Sequence, residues 1–445
     1  MIKILANRTY RHLFIAQVVS LVATGLATIA LGLLAFDLAG ADAGAVLGTA
    51  LAIKMVAYIC IAPIVGAFSD RLPRKVLLVT MDIVRAGVVL CLPFVEQIWQ
   101  IYALIFVLQS ASAAFTPTFQ ATIPEILPQE EEYTKALSLS RLAYDMENLT
   151  SPLIAAMLLT VVSFHALFSA TAIGFLISAF MVFSVVLPRQ NFQSSGQRRI
   201  LTRLTSGVQN YLGTPRLRGM LAVTLSAAAA SAIVVVNTVV IVQDGLGLDQ
   251  QAYAVTIGAF GAGSMSVALL LPKLLSKLND RLVMISGAAI LTVMLSGLTL
   301  VAYFLPGGLS WPIILLTWAV LGAAYSLTVT PGGRLLRRSS TPKTRPSIFA
   351  AQFALSHVCW LIAYPVAGWV GSRFGQSSAL FASAGLALMG FAMAFRAWPA
   401  NENIRIKHTH SNLPLNHPHL RQGHVTGEPV HEFVLDDYHQ TWPRS

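Results

Sequence analysis

Two acids and an amide crowd one short run, Arg141-Leu-Ala-Tyr144-Asp145-Met146-Glu147-Asn148, next to residues apolar enough to cross a membrane. A carboxylate taken out of water has its pKa raised and can accept and release a proton near neutrality. Asp145 follows Arg141 by four residues, so an ion pair along one helix face competes with that role. Glu147 lies about 200° around a helix from Asp145, so one of the two is expected to face a cavity while the other packs on a neighbour. Asp82 and Arg85 stand one turn apart and are expected to pair with each other or with the charged loop at 66–75, mainly in a structural role. Lys54 sits within an apolar run and needs a partner, with Asp37 the nearest acid in sequence that fits. His357 shares its run with Gln352 and Tyr364; a satisfied interior imidazole outweighs a ligand there.

A second group of chemistry-bearing residues lies at 399–445. Seven of the ten histidines fall there, and His408-Thr-His410 and His417-Pro-His419 are His-x-His pairs, with His424 close behind. In an extended chain such pairs point both rings to one side, and neutral imidazole suits Ni²⁺, Co²⁺, Cu²⁺ and Zn²⁺. These five histidines are the candidate metal ligands, and Asp436-Asp437 is able to complete a site. A solvated tail that is His-rich without binding metal is the competing reading. Pro414, Pro418, Pro429 and Pro443 punctuate it, so little regular structure is expected. Cys60, Cys91 and Cys359 all lie in apolar runs and form neither a disulfide framework nor a Cys-x-x-Cys site.

The elements that hold these residues follow from composition. The chain of 445 residues is 55% hydrophobic and only 11% charged, far below the roughly one-quarter charged content of soluble domains. At roughly 20 apolar residues per span, residues 10–398 hold about twelve helices. Spans are expected near 12–36, 45–68, 76–95, 97–116, 137–160 and 164–187, then near 218–243, 251–272, 282–305, 310–330, 347–371 and 376–398. The chain thus divides into 1–187, a first six-helix half; 188–217, a polar linker; 218–398, a second half; and 399–445, a disordered His-rich tail. The fold class is an all-α membrane protein.

Lys and Arg collect at one set of span ends, while Asp37, Asp42, Glu96, Asp244 and Asp249 mark the other. The positive-inside rule then puts both termini and the linker in the cytoplasm and the chain in the inner cell membrane. The formal net charge of +11 is accounted for by that bias, so nucleic acid is excluded as a partner. The two halves also repeat: Asp70-Arg71 returns as Asp280-Arg281, Thr116-Pro117 as Thr330-Pro331, and Pro152 as Pro365. A site between two such halves, near the midplane, is the expectation.

Gly66-Ala-Phe-Ser-Asp70-Arg71-Leu-Pro-Arg74-Lys75 joins the second and third spans. It resembles the loop signature Gly-x-x-x-Asp-Arg-x-Gly-Arg-Lys of the major facilitator superfamily, with Gly66, Asp70, Arg71, Arg74 and Lys75 matching and Pro73 in place of the second Gly. The resemblance implies a conformational clasp at this loop. The repeat copy, Lys277-Leu-Asn-Asp280-Arg281, is degraded, so the first half is expected to carry the better clasp. Exporters of that superfamily often carry Gly-Pro in span five, where Ser151-Pro152 stands here, and the His-rich tail resembles nickel- and cobalt-resistance members.

The resemblance implies a secondary transporter, working as a monomer among membrane lipids and not an enzyme. Export of a divalent transition-metal cation in exchange for protons is the first expectation. Export of a drug, siderophore or other small organic compound is the alternative, and a metal sensor that moves nothing is a third. Asp145, Glu147, Asn148, Asp82, Arg85, Lys54 and His357 are the candidates for proton coupling or substrate binding. No cofactor is expected, and no phosphate-binding Gly-x-x-x-x-Gly-Lys-Ser/Thr loop is present.

Overall fold

Where no water reaches the backbone, a spanning segment must satisfy its own N–H and C=O groups, and helices do so within one run. The computed structural model describes residues 2–68, 73–187, 197–304, 309–341, 344–400, 405–407, 424–425, 428–432 and 442. Its first half comprises α1 (Arg8–Ala39), α2 (Ala43–Phe68), α3 (Arg74–Cys91), α4 (Ile98–Ile126), α5 (Glu130–Leu158) and α6 (Phe164–Phe183). A linker helix, α7 (Gln197–Gly213), precedes α8 (Pro215–Ala232). The second half continues with α9 (Gln250–Leu275), α10 (Asp280–Phe304), α11 (Trp311–Val329), the short α12 (Gly332–Arg338), α13 (Arg345–Phe374) and α14 (Gln376–Ala397).

Among the described residues ten stretches are long and apolar enough to cross a membrane, and the first, Arg8–Ile61, holds two helices. Counting those two separately, and adding α5, which is 29 residues long but charge-rich, gives the expected twelve. Large apolar side chains such as Phe94, Phe180, Phe304, Leu316, Phe374 and Phe381 point outward. Lipid, not water, is the solvent that such a belt requires.

Three segments depart from the sequence reading. The polar linker carries α7, whose Tyr211 is fully buried and donates to Gln352 Oε1 on α13, while Gly207 fits against Ser347. Burial pushes the Tyr211 phenol far above its ordinary value, so it stays a neutral donor at any physiological pH. Next, α8 runs on through two π-helical stretches, Ile233–Asn237 and Val240–Gly245. Side chains on and beside these stretches reach other helices: Asn237 Nδ2 donates to Ala367 O (3.1 Å) and Gln376 Oε1 (2.8 Å), and Trp318 Nε1 donates to Thr238 Oγ1 (2.8 Å). Last, the tail has short strands, β1 (Arg405–Lys407), β2 (His424–Val425) and β3 (Glu428–Glu432), paired antiparallel in the order β1-β3-β2.

The halves meet along two seams, α2 against α13 and α5 against α9. Close approach rests on glycine: a Cβ at Gly48 would lie 2.6 Å from the Tyr364 carbonyl oxygen and 3.2 Å from Gly368 Cα. With little hydrophobic drive between helices in lipid, such small-residue contacts supply the packing. Trp369 Nε1 donates to Thr49 Oγ1 (2.9 Å) and Ser372 Oγ to Asp42 Oδ1, so the acid-bearing ends of the halves are tied together. On the second seam, Gly258 faces Pro152, whose Cβ would lie 3.6 Å from an added methyl.

Candidate functional site

The cavity that opens within the first half is lined by Thr24 and Thr28 of α1, Lys54 of α2, Gln109 and Ser112 of α4, and Phe175 of α6. Thr28 follows Thr24 by one turn, and each hydroxyl is tied to a carbonyl one turn back, Thr24 Oγ1 to Ser20 O (2.8 Å) and Thr28 Oγ1 to Thr24 O (3.0 Å). Satisfied in this way, these hydroxyls cost little to bury, and their lone pairs remain for a ligand.

Lys54 lies about 16 Å along α2 from the helix start, whereas Asp37 stands near the end of α1 that adjoins that start. One turn further on, Tyr58 carries α2 to the seam and stacks on His357 of α13, with ring centroids 5.3 Å apart and planes at 10°. His357 Nδ1 lies 2.6 Å from Phe353 O, which accepts its proton and leaves Nε2 as the acceptor of a neutral ring. The partly exposed His357 ring thus stacks on Tyr58 across the seam between the halves.

Asp82 and Arg85 pair with each other, one of the two arrangements expected for them. Asp82 is fully buried and Arg85 nearly so. Asp82 Oδ2 accepts from Ser178 Oγ of α6 (2.8 Å), and Arg85 donates to Ser20 Oγ of α1 (3.2 Å). The guanidinium lies between two rings, Phe115 of α4 at 4.2 Å and Phe175 of α6 at 4.5 Å. Sequence spacing pointed to the pair; nothing in the spacing pointed to Ser20, Ser178 or the two rings.

At the basic ends, Arg74 pairs with Glu125 at the end of α4 (2.6 Å), and Lys75 Nζ lies 4.8 Å from the Phe183 ring centroid. Asp70 and Arg71 lie outside the described residues, as does the side chain environment of Gly66 at the end of α2. In the repeat copy, Asp280 is buried and receives Arg338 (2.9 Å) and Arg334 (3.5 Å). Arg281 Nε donates to Trp398 O (2.8 Å). The degraded motif therefore still builds a clasp of its own; the first-half clasp around Asp70, which was expected to be the better one, lies outside the described residues. The missing consensus residues are replaced by arginines of α12, which the loop sequence alone does not reveal.

Asp145, Glu147 and Asn148 fall on α5, with side chains outside the described residues. His408, His410, His417 and His419 also lie outside them, and His424 is placed only as a position of β2. Among the described residues no group of three or more His, Cys, Asp or Glu side chains forms a metal site.

Residues 13–316, more than half of the chain, match the family model described as Major Facilitator Superfamily. The MFS-type transporter YfiS of Bacillus subtilis is 28% identical over 156 residues, 34% of this chain and 37% of that protein. Macrolide efflux protein A of Enterococcus faecalis is 27% identical over 153 residues, 32% of this chain and 47% of that protein. The matched stretch thus spans less than half the length of these relatives. Among solved structures, a POT family transporter in complex with 5-aminolevulinic acid superposes with a TM-score of 0.69 at 11% identity, covering 88% of this chain and 95% of that one, which establishes the shared fold. On the family match and the twelve-helix, two-half architecture together, the chain belongs to the Major Facilitator Superfamily and has its multi-pass membrane fold.

Proposed function

We propose that the chain exports a small amphipathic organic compound, exposing a site between its halves alternately to the two sides of the membrane. The lining carries this reading: among the described residues, two threonines, an amide, a serine, a lysine and an aromatic ring stand among apolar side chains such as Leu31, Leu51 and Ile105. An apolar compound bearing several hydrogen-bond acceptors would meet complementary chemistry. The similarity to a macrolide efflux protein supports the same class of substrate. The organic compound therefore replaces the metal cation as first choice. Capture of metal by the tail histidines stays a separate proposal, to be tested by calorimetry on the tail.

The cavity measures about 30 Å³ in this conformation, against roughly 300–1,000 Å³ for drug-sized ligands. Loading therefore requires the helices around it to part. With the acid-bearing ends tied, the basic ends are the ones to part, and by the positive-inside rule these lie in the cytoplasm, where an exporter loads. Expression in a bacterial strain stripped of its own drug exporters tests the reading. Tolerance to erythromycin, an acceptor-rich macrolide, should rise several-fold and fall back with Lys54→Met, while Ni²⁺ and Co²⁺ tolerance stays unchanged. A gain confined to the metals would overturn the proposal.

A further inference from the structure

Resting on the reading of this chain as a gradient-driven exporter, we propose that Asp82 is its proton carrier, with Arg85 held in a second cradle that lets the pair open. A buried ion pair is a weak source of stability, because desolvating both charges offsets most of their attraction. This pair is weaker still, since Arg85 Nε is buried with no hydrogen-bond partner among the described residues. Stability does not explain its presence in α3, about 12 Å from the basic end of that helix.

The surroundings fit a carboxylate that changes charge. Protonating one member of a buried pair normally strands the other ion. Here Arg85 retains the faces of Phe115 and Phe175 and the Ser20 hydroxyl when Asp82 is neutral. Ser178, a donor to the carboxylate, has a rotatable hydroxyl that can accept from the neutral acid instead. Around Asp82, α6 presents Ser178 and Phe175, α4 presents Phe115, and α1 presents Ser20 through Arg85; the one charge among the described residues that acts on Asp82 is Arg85. A single ring separates the pair from the cavity, because Phe175 both covers Arg85 and lines the space beside Lys54. Ser112 and Thr24 line that space as well, and Thr24 is bonded to the backbone of Ser20.

The cycle balances as follows. One proton from the outside binds a carboxylate oxygen of Asp82, and the contact with Arg85 is lost. The same proton leaves to the cytoplasm, and the pair re-forms. Because the pair ties α3 to α1 and α6, its opening loosens three helices of one half together.

Infrared difference titration of the purified full chain in lipid nanodiscs tests this without any substrate. The carbonyl band of a protonated carboxylic acid, shifted in D₂O, should grow in as pH falls. It should be missing in Asp82→Asn and kept in Asp145→Asn and Glu147→Gln. In Ser178→Ala its midpoint should move up by about half a pH unit or more, since a donor to the charged form is lost; a merely structural Asp82 gives no band to move. In proteoliposomes, Asp82→Asn should lose pH-gradient-driven erythromycin flux and keep erythromycin exchange. A band that persists in Asp82→Asn, or that disappears in either α5 variant instead, overturns the assignment. Failure of the wild type to move erythromycin, with the band intact, counts against the substrate reading and leaves the carrier supported.

Discussion

The ion pairs described at the basic ends of the two halves are built with opposite signs. In the first half a base at the start of α3, Arg74, meets an acid at the end of α4, Glu125. In the second an acid at the start of α10, Asp280, meets two bases of α12, the helix that follows α11. Burial differs as well: the Asp280 side chain is 3% exposed, whereas Glu125 is 35% exposed. Both halves thus carry an ion pair between the third helix and the end of the fourth or the segment after it. The acid-bearing ends form a third kind of junction, built across the halves from glycine and single hydrogen bonds.

The largest effect should come from that third junction. Gly48→Leu puts a branched side chain where a single methyl already lies 2.6 Å from the Tyr364 carbonyl oxygen, so α2 and α13 cannot close. Export should fall tenfold or more, a loss of at least ~1.4 kcal/mol in the closing equilibrium, with normal membrane insertion. Cysteine accessibility at Thr49 should rise. A fully active Gly48→Leu would show that the ends need not approach this closely during transport.

Asp280→Asn is next. It removes the charge that two arginines share at a buried position, and should lower stability in detergent by about 2 kcal/mol. That lies below the usual cost of breaking a fully buried pair, because Arg334 and Arg338 are partly exposed and can turn to water. Thermal unfolding measures it, and a shift no larger than that of a surface variant would remove the distinction between the clasps. Glu125→Gln should cost least, about 0.5–1 kcal/mol or less, as a screened and half-open pair. Exchanging the charges, Arg74→Glu with Glu125→Arg, should restore most of that loss. If Glu125→Gln proves as costly as Asp280→Asn, the halves are more alike than their burial indicates.

Hydropathy and charge bias, which each segment carries in its own residues, were enough to count the spans, divide the chain into two halves and locate the loop motif. The Asp82–Arg85 pair was also legible, since one helical turn separates its members. Contacts between segments were not. Most of these helices are apolar on the lipid side and on the packed side alike, so no periodicity tells which face meets which neighbour. Ser178 reaches Asp82 across 96 residues and Arg338 reaches Asp280 across 58, and neither partner stands out in its own segment. Asp37 was the nearest candidate acid in sequence for Lys54; that Lys54 lines a cavity with residues of α1, α4 and α6 could not be read from sequence distance. The linker helix α7, the π-helical end of α8 and the two seams between halves likewise come from packing, where a free polar group or a missing side chain has value only once its neighbour is in place.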